Sequence, residues 1–248
     1  MSHFAVAIIH EEGQDIEKLL APYDENLEVK PYMNRTRDMM VANGHRIKSR
    51  IRMEKLDLNT NQWAKKYVDA ETDEDFWLAE KDEVCYTYDE KGNELTTYNP
   101  NSKWDWWCIG GRFSGCLKVW EDDESMLVSS AKVKSVDFTP DKEEYDKAYN
   151  WWVEHIDSDK EWDSFIKKEY YTDTYKDATD YATRCAQFST FAVVTPDGVW
   201  HEKGEMGWFA CSDETPEEAR SWDENYYNTF IAPYLDGDYC ITIVDCHI

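Results

Sequence analysis

Short apolar runs separated by turn residues set the rhythm of this chain. The run from His3 to His10 alternates moderately and is rich in β-formers, which predicts a first strand. A short helix is expected from Asp15 to Ala21, with Ile16, Leu19 and Leu20 on one face and Pro22 helping to end it. From Arg35 onward the spacing reads as a helix that Gly44 breaks, and Asn61 to Ala70 offers a further short helix. Val84 to Tyr88 and Leu95 to Tyr98 read as strands around the turn residues Asp89 to Asn93. Cys116 to Trp120, Met126 to Ser130 and Val133 to Phe138 continue the β pattern.

Two helices carry the same start signal. Thr139-Pro140 and Thr215-Pro216 each place threonine at the N-cap and proline at the first helical position. Thr215 with Glu218 also fits a capping box. The first helix aligns Tyr145, Ala148, Trp152 and Ile156, and the second aligns Ala219, Trp222, Tyr226, Phe230 and Tyr234. Another helix is expected around Glu161 to Tyr170. Thr195-Pro196-Asp197-Gly198 predicts a hairpin between Phe191–Val194 and Val199–His201, and Tyr239 to Ile248 predicts a last strand. These elements imply an α+β class, mainly antiparallel sheet with amphipathic helices on one face. An echo between Phe4-Ala5-Val6 and Phe191-Ala192-Val193 leaves open a duplicated, ferredoxin-like layout. No linker composition divides residues 1–248, so one domain is expected, with 121–190 as an inserted acidic, helical lobe.

Composition narrows the class. The chain has 248 residues, of which 15% are aromatic, enough for a sizeable core and too many for a disordered segment. No apolar run of about eighteen residues is present, and no signal peptide is read at the start, so a cytoplasmic location and no membrane partner are expected. Seven scattered cysteines agree with reduced thiols. The net charge of −25 disfavours direct contact of the acidic body with nucleic acid. Residues 30–55 run against this with a net +6, leaving −31 on the rest. Within that segment Arg46, Lys48, Arg50 and Arg52 read either as a solvated helix face or as a phosphate contact.

The densest chemistry lies between Asn99 and Gly115. Trp104, Asp105, Trp106 and Trp107 precede Gly110-Gly111-Arg112. On a regular strand Trp104 and Trp106 would share one face, and Asp105 and Trp107 the other. Indoles beside a guanidinium suit an anion or a stacked base, or else form a core braced by an Arg112–Asp105 pair. With Trp208 these residues are the candidate binding set. If the protein is an enzyme, His201, Glu205, Asp245 and His247 are the candidate acid–base groups. Asp245 and His247 share a strand face, and with His3 or His10 on a neighbouring strand they could make a metal site. Cys246 or Cys108 could be a thiol nucleophile, although buried cysteine is commoner. CxxC and HExxH spacings are absent, and so are phosphate-loop, dinucleotide and nucleophile-elbow motifs, so no metal and no cofactor are expected.

Ser2-His3-Phe4, Ala21 to Asn26, Tyr98 to Arg112, Gly204 to Phe209 and Val244 to Ile248 together resemble a family of hypothetical proteins encoded mostly by bacteriophages, prophages and mobile elements. The resemblance spans nearly the whole chain except 141–190 and brings no catalytic assignment. It implies an accessory protein made in the cytoplasm of a bacterial host. Two functions are carried forward. One is a non-enzymatic inhibitor whose acidic surface enters the basic groove of a host protein or nucleoprotein complex, of anti-defence or CRISPR type. The other is a small-molecule or nucleotide-binding or hydrolysing protein that uses the tryptophan block and Arg112.

Overall fold

The computed structural model describes residues 2–55, 57–121, 124–158, 162, 164, 166–207 and 211–248. Its organising element is β1 (His3–Glu11), whose five residues from Val6 to His10 are all buried. Such a run belongs to a strand covered on both faces. Phe4, Val6 and Ile8 enter one core with Leu19, Leu20, Val194, Val244 and Cys246. Ala7 and Ile9 enter a second with Leu117, Val133, Val193, Tyr226, Phe230, Ile241 and Ile243. The expectation of helices on a single face therefore gives way to cover on both.

β11 (Tyr239–His247) pairs antiparallel with β1 along its whole length, His3 opposite His247 and Glu11 opposite Tyr239. On its other side β11 meets β8 (Ser130–Lys132) at its start and β5 (Trp106–Ile109) at its end. β9 (Ala192–Val194) runs parallel to β1, and β10 (Trp200–Glu202) closes the hairpin with β9 as the Thr195–Gly198 turn predicts. The two echoing segments are thus adjacent strands. A hairpin follows β9 where a ferredoxin-like repeat would need a helix. The fold class is α+β, with mostly antiparallel sheet.

α1 (Ile16–Leu20) lies on the first core through Leu19 and Leu20. α7 (Pro216–Tyr226) lies on the second and begins with the expected capping box between Thr215 and Glu218. The chain continues from α7 as a π turn and a 3-10 turn, which keeps Tyr226, Phe230 and Tyr234 on one core. β6 (Leu117–Glu121) and β7 (Glu124–Val128) form a separate hairpin. The strand expected over Val133 to Phe138 is a 3-10 turn followed by one isolated bridge at Val136.

α4 (Lys142–His155), α5 (Lys168–Thr174) and α6 (Ala178–Ala186) pack through an aromatic core of Trp151, Trp152, Trp162, Tyr171, Tyr175 and Tyr181. The cap of α4 is Asp141, not Thr139, because its carboxylate accepts the N–H groups of both Glu143 and Glu144. Of the helix expected over 161–170, residues 161, 163 and 165 lie outside the described residues.

The chain divides into two compact units, residues 1–25 with 101–248, and residues 26–100. The boundary thus falls well before the acidic 121–190 stretch, which belongs to the first unit. The second unit holds β2 (Tyr32–Arg35), β3 (Thr87–Tyr88) and β4 (Glu94–Thr96) in the order β2-β4-β3. It also holds α2 (Arg37–Met53) and α3 (Asp73–Glu80). Val84 and Cys85 lie before β3 rather than in a strand. α2 runs unbroken through Gly44, where an added Cβ would sit 2.8 Å from that of Phe76. The absent side chain here lets α3 approach. The small core of Ile47, Tyr67, Ala70 and Phe76 is joined to a buried ionic network. Arg35 binds Glu94 at 2.6 Å and Glu80 at 2.8 Å, and Asn34 donates to Glu94. The Arg35 hydrogen bond holds the Glu94 carboxyl below its ordinary range. Burial, then the hydrogen bond to Glu80, raises the Tyr67 phenol.

Candidate functional site

Antiparallel register decides what meets at the end of the main sheet. His3 lies opposite His247, and Ala5 opposite Asp245. On the other side of β11, His247 lies opposite Trp106 and Asp245 opposite Cys108. Side chains two apart share a face. His3, His247, Asp245 and Trp106 therefore gather on one surface at the end of three adjacent strands.

Each imidazole is held by a carboxylate. His3 Nδ1 lies 2.8 Å from Asp245 Oδ1, and His247 Nδ1 lies 2.6 Å from Asp105 Oδ1. An ionised carboxylate only accepts, so both Nδ1 atoms carry the proton. In the neutral ring each Nε2 is then left as an acceptor. Among the described residues neither Nε2 has a hydrogen-bond partner. The ring centroids are 4.9 Å apart in an edge-to-face arrangement, and Trp106 stands edge-on to His3 at 6.3 Å. Both imidazoles are partly accessible, while Asp245 is only 2% exposed.

The double glycine serves this aspartate. Asp245 Oδ2 accepts the backbone N–H of Arg112 at 2.9 Å. Gly111 has φ +52°, and a Cβ there would lie 2.5 Å from both Cβ and Oδ2 of Asp245. Gly110, with φ +70°, would bring a Cβ to 2.6 Å from the hydroxyls of Ser114 and Ser129. Only glycine combines this left-handed backbone with so close an approach. The turn thus delivers an N–H to a buried carboxylate and leaves the Arg112 side chain exposed. Among the described residues Arg112 makes no ion pair, so the alternative in which it braces Asp105 does not hold.

The tryptophans separate differently from regular alternation. A bend at Asp105 puts Trp104 and Trp107 against the same core, with Trp106 on the opposite face and 50% exposed. Trp104 is buried, and its indole N–H has no acceptor among the described residues. It is therefore not a contact surface, and neither is the body of Trp107, which packs on that core. Trp208 lies outside the described residues.

Comparison with known proteins finds no matching family model, no matching curated protein and no matching solved structure.

The other candidates are scattered. His201 sits on β10, separated from β11 by β9 and β1, with its ring 5.2 Å from Phe230. Glu205 is exposed in the loop after β10, where its N–H donates to Asp213. Cys246 points into the first core, on the face opposite Asp245, and burial pushes its thiol far above the ordinary range. That placement removes it from any Cys/His/Asp arrangement. His10 is at the far end of β1, bonded to Thr242. Among the described residues no group of three or more His, Cys, Asp or Glu is placed to hold a metal ion. No helix among them is long and apolar enough to cross a membrane.

The basic helix also differs from the expected face. On α2 each two-residue step turns the side chain by about 200°. Arg46 and Arg50 therefore lie on one side, and Lys48 and Arg52 on the other. Arg46 binds Asn43, Lys48 binds the Ala70 carbonyl, and Arg50 pairs with Glu54. Sequence reasoning placed Asp245 and His247 correctly on one face and allowed His3 beside them. It missed Asp105 as the partner of His247 and the bond from the Arg112 N–H to Asp245. The pattern of alternating polar residues at both chain ends, His3 and Asp245-x-His247, was the available signal.

Proposed function

We propose that His3 and His247 form an acid–base pair acting on a nucleotide or similar phosphate-bearing small molecule, with Arg112 and Trp106 supplying the binding groups. The observation that carries this reading is the pair of adjacent imidazoles, each fixed through Nδ1 by its own aspartate. Such fixation orients a ring and sets its tautomer, and it leaves Nε2 to exchange protons. For phosphoester hydrolysis, one neutral Nε2 takes a proton from the attacking water as its oxygen bonds to phosphorus. The other imidazole, protonated, gives its proton to the departing ester oxygen as the P–O bond breaks. An exposed guanidinium suits the phosphoryl oxygens, and a half-exposed indole suits a base. Three of the stretches that carry the phage-family resemblance converge here, which adds support.

The test is incubation with nucleotides, cyclic nucleotides and an activated phosphodiester, with products followed by phosphorus NMR. Turnover should fall by about 10²-fold or more in His3→Gln and in His247→Gln. Arg112→Ala should weaken ligand binding. Full turnover and binding in all three variants refutes the proposal.

A second reading is favoured by charge. The net charge is −25, and several cations of the 30–55 segment are engaged internally, Arg35 with Glu80 and Glu94, Arg37 with Glu74, and Arg50 with Glu54. An acidic accessory protein of phage type that occupies the basic groove of a host defence complex in the bacterial cytoplasm accords with this. Its affinity for such a complex should drop steeply with salt and survive His3→Gln. Salt-independent affinity counts against it.

A further inference from the structure

The main sheet ends in an open edge beside the histidine pair. β5 is the last strand in the order β10-β9-β1-β11-β5, so only one of its two edges is paired. The register fixes which backbone groups face outward. In an antiparallel pair, residues whose N–H and C=O face the partner alternate with residues whose groups face away. Ser2 and Ile248 exchange both bonds, at 2.9 and 3.1 Å, so on β11 residues 244 and 246 face β1, and residues 243, 245 and 247 face the other side. The Gly110 N–H accordingly donates to the Ile243 carbonyl at 2.8 Å. Trp106 and Cys108, opposite His247 and Asp245, therefore direct their backbone groups to β11, and those of Trp107 and Ile109 point out of the sheet. Among the described residues these outward groups have no hydrogen-bond partner.

Open edges are normally blunted by lysine, proline or a bulge. Trp106-Trp107-Cys108-Ile109 carries no charge and no proline, and its register with β11 is unbroken. Large side chains are exposed on both sides of the edge, Ile109 at 55% on one face and Trp106 at 50% on the other. The chain itself closes the strand upstream, where the Trp104 carbonyl accepts the Glu25 N–H at 2.8 Å. Just past the downstream end stands Arg112, exposed and without an ion pair among the described residues, in a chain with 52 acidic residues.

We propose that β5 takes up an extended peptide segment of a partner protein as an added strand, with an acidic side chain of the segment at Arg112. The outward N–H and C=O groups of Trp107 and Ile109, two residues apart, match the donors and acceptors of a second peptide strand. A phosphodiester linkage supplies acceptors only. Apolar residues of the segment lie against Ile109 and Trp106, and its carboxylate meets the free guanidinium. A second copy of this chain is the poorer occupant, because each copy carries a net charge of −25. Docking needs neither imidazole, so this inference does not depend on the histidine pair.

The probes are acetylated, amidated heptapeptides of alternating valine and threonine, with glutamate placed at each position in turn, titrated into isotope-labelled protein and read by amide NMR. At least one should move the Trp107 and Ile109 amide signals downfield and slow their exchange, as new hydrogen bonds do. N-methylation of one alternate set of its residues should weaken binding about tenfold or more, and methylation of the other set should leave it within about threefold. In the wild-type protein the glutamine form should bind more weakly than the glutamate form, and in Arg112→Gln the two should bind alike. Ile109→Pro removes an outward N–H and leaves the β11 ladder whole, so it should bind about tenfold or more weakly. Ile109→Thr keeps that N–H and should stay within about threefold. The proposal is overturned if no peptide moves those two amides, if methylation of either set is harmless, or if Ile109→Pro binds as tightly as the wild-type protein. It is equally overturned if sedimentation finds a dimer that Ile109→Pro dissociates, since a second copy would then hold the edge.

Discussion

Replacing Gly111 with alanine tests whether the double glycine exists to seat Asp245. Two costs arise. The residue has φ +52°, and an L side chain there costs about 1–2 kcal/mol. The new Cβ would also lie 2.5 Å from Asp245 Cβ and Oδ2, so the aspartate must move. Asp245 is buried and accepts from both His3 and the Arg112 N–H. Losing one hydrogen bond to a charged group costs about 1.5–3 kcal/mol. The sum is about 3–5 kcal/mol. In a unit of this size each kcal/mol lowers Tm by about 2–4 °C, so the fall should be about 6–20 °C.

Gly13→Ala is the matched control. Gly13 has φ +84°, and no atom lies within 4 Å of where its Cβ would stand, so it reports backbone strain alone. Its expected cost is about 1–2 kcal/mol. The excess in Gly111→Ala is the contact with Asp245. Thermal and urea melts of the two variants give the comparison. Proton NMR adds a local readout, because the His3 Nδ1–H signal should be lost in Gly111→Ala and kept in Gly13→Ala. Equal destabilisation, with the His3 signal intact in both, would refute the assignment.

The remaining predictions concern other parts of the chain. Arg35→Met strands Glu94 and Glu80 in the interior of the second unit and should cost about 3–5 kcal/mol, whereas exposed Arg52→Met should stay within about 0.5 kcal/mol. Amide exchange resolved over residues 26–100 checks it, and equal protection in both variants would exclude a stabilising network. The same network sets an acid response. Glu94 ionises in the fold below its ordinary value of 4.5 because Arg35 hydrogen-bonds its charged form. Its contribution is therefore present above that pH and lost as pH falls through the lowered value, so protection of the second unit should decline below about pH 4.5. Protection that rises on acidification would reverse this sign. Cys246, buried with a raised thiol, should resist iodoacetamide in the native protein while exposed Cys211 reacts, and should become reactive on unfolding. Peptide mass spectrometry distinguishes the two, and native labelling of Cys246 at the Cys211 rate contradicts the burial argument.

Local signals were legible where one residue type does one physical job. The Thr215–Glu218 capping box, the Thr195–Gly198 turn and the apolar ladder of α7 are read correctly because each depends on neighbours within a turn or two of chain. Thr139-Pro140 carried the same signal as Thr215-Pro216 and failed, because Asp141 two positions later offers a stronger acceptor to two N–H groups at once. The second unit escaped notice for a different reason. Its boundaries at 25/26 and 100/101 carry no linker composition, and its interior holds Glu80 and Glu94, two carboxylates paired with Arg35 whose burial no periodicity announces. The tryptophan block stands out in the sequence, yet regular alternation gives the wrong faces for it, since a single bend at Asp105 inverts the pattern.

The site itself follows from where apolar cover stops. On one face of the main sheet β1 presents Ile9 and Ala7, and β11 presents Ile241 and Ile243, all within the second core. Farther along the same face the residues become His3 on β1 and Asp245 and His247 on β11. The change comes at Asp245 on β11 and one pair farther along, past Ala5, at His3 on β1, so both strands turn polar toward the same end of the sheet. Polar groups at such a boundary need partners, and the chain supplies them from one distant segment, Asp105 for His247 and the Arg112 N–H for Asp245. A slip of one residue between β1 and β11 would put His3 on the opposite face of the sheet from Asp245 and His247 and so separate the two imidazoles. The same register that closes the core therefore assembles the acid–base pair. The constellation is distributed over both chain ends and the glycine turn because only the paired strands bring residues 3, 105, 112, 245 and 247 to one surface.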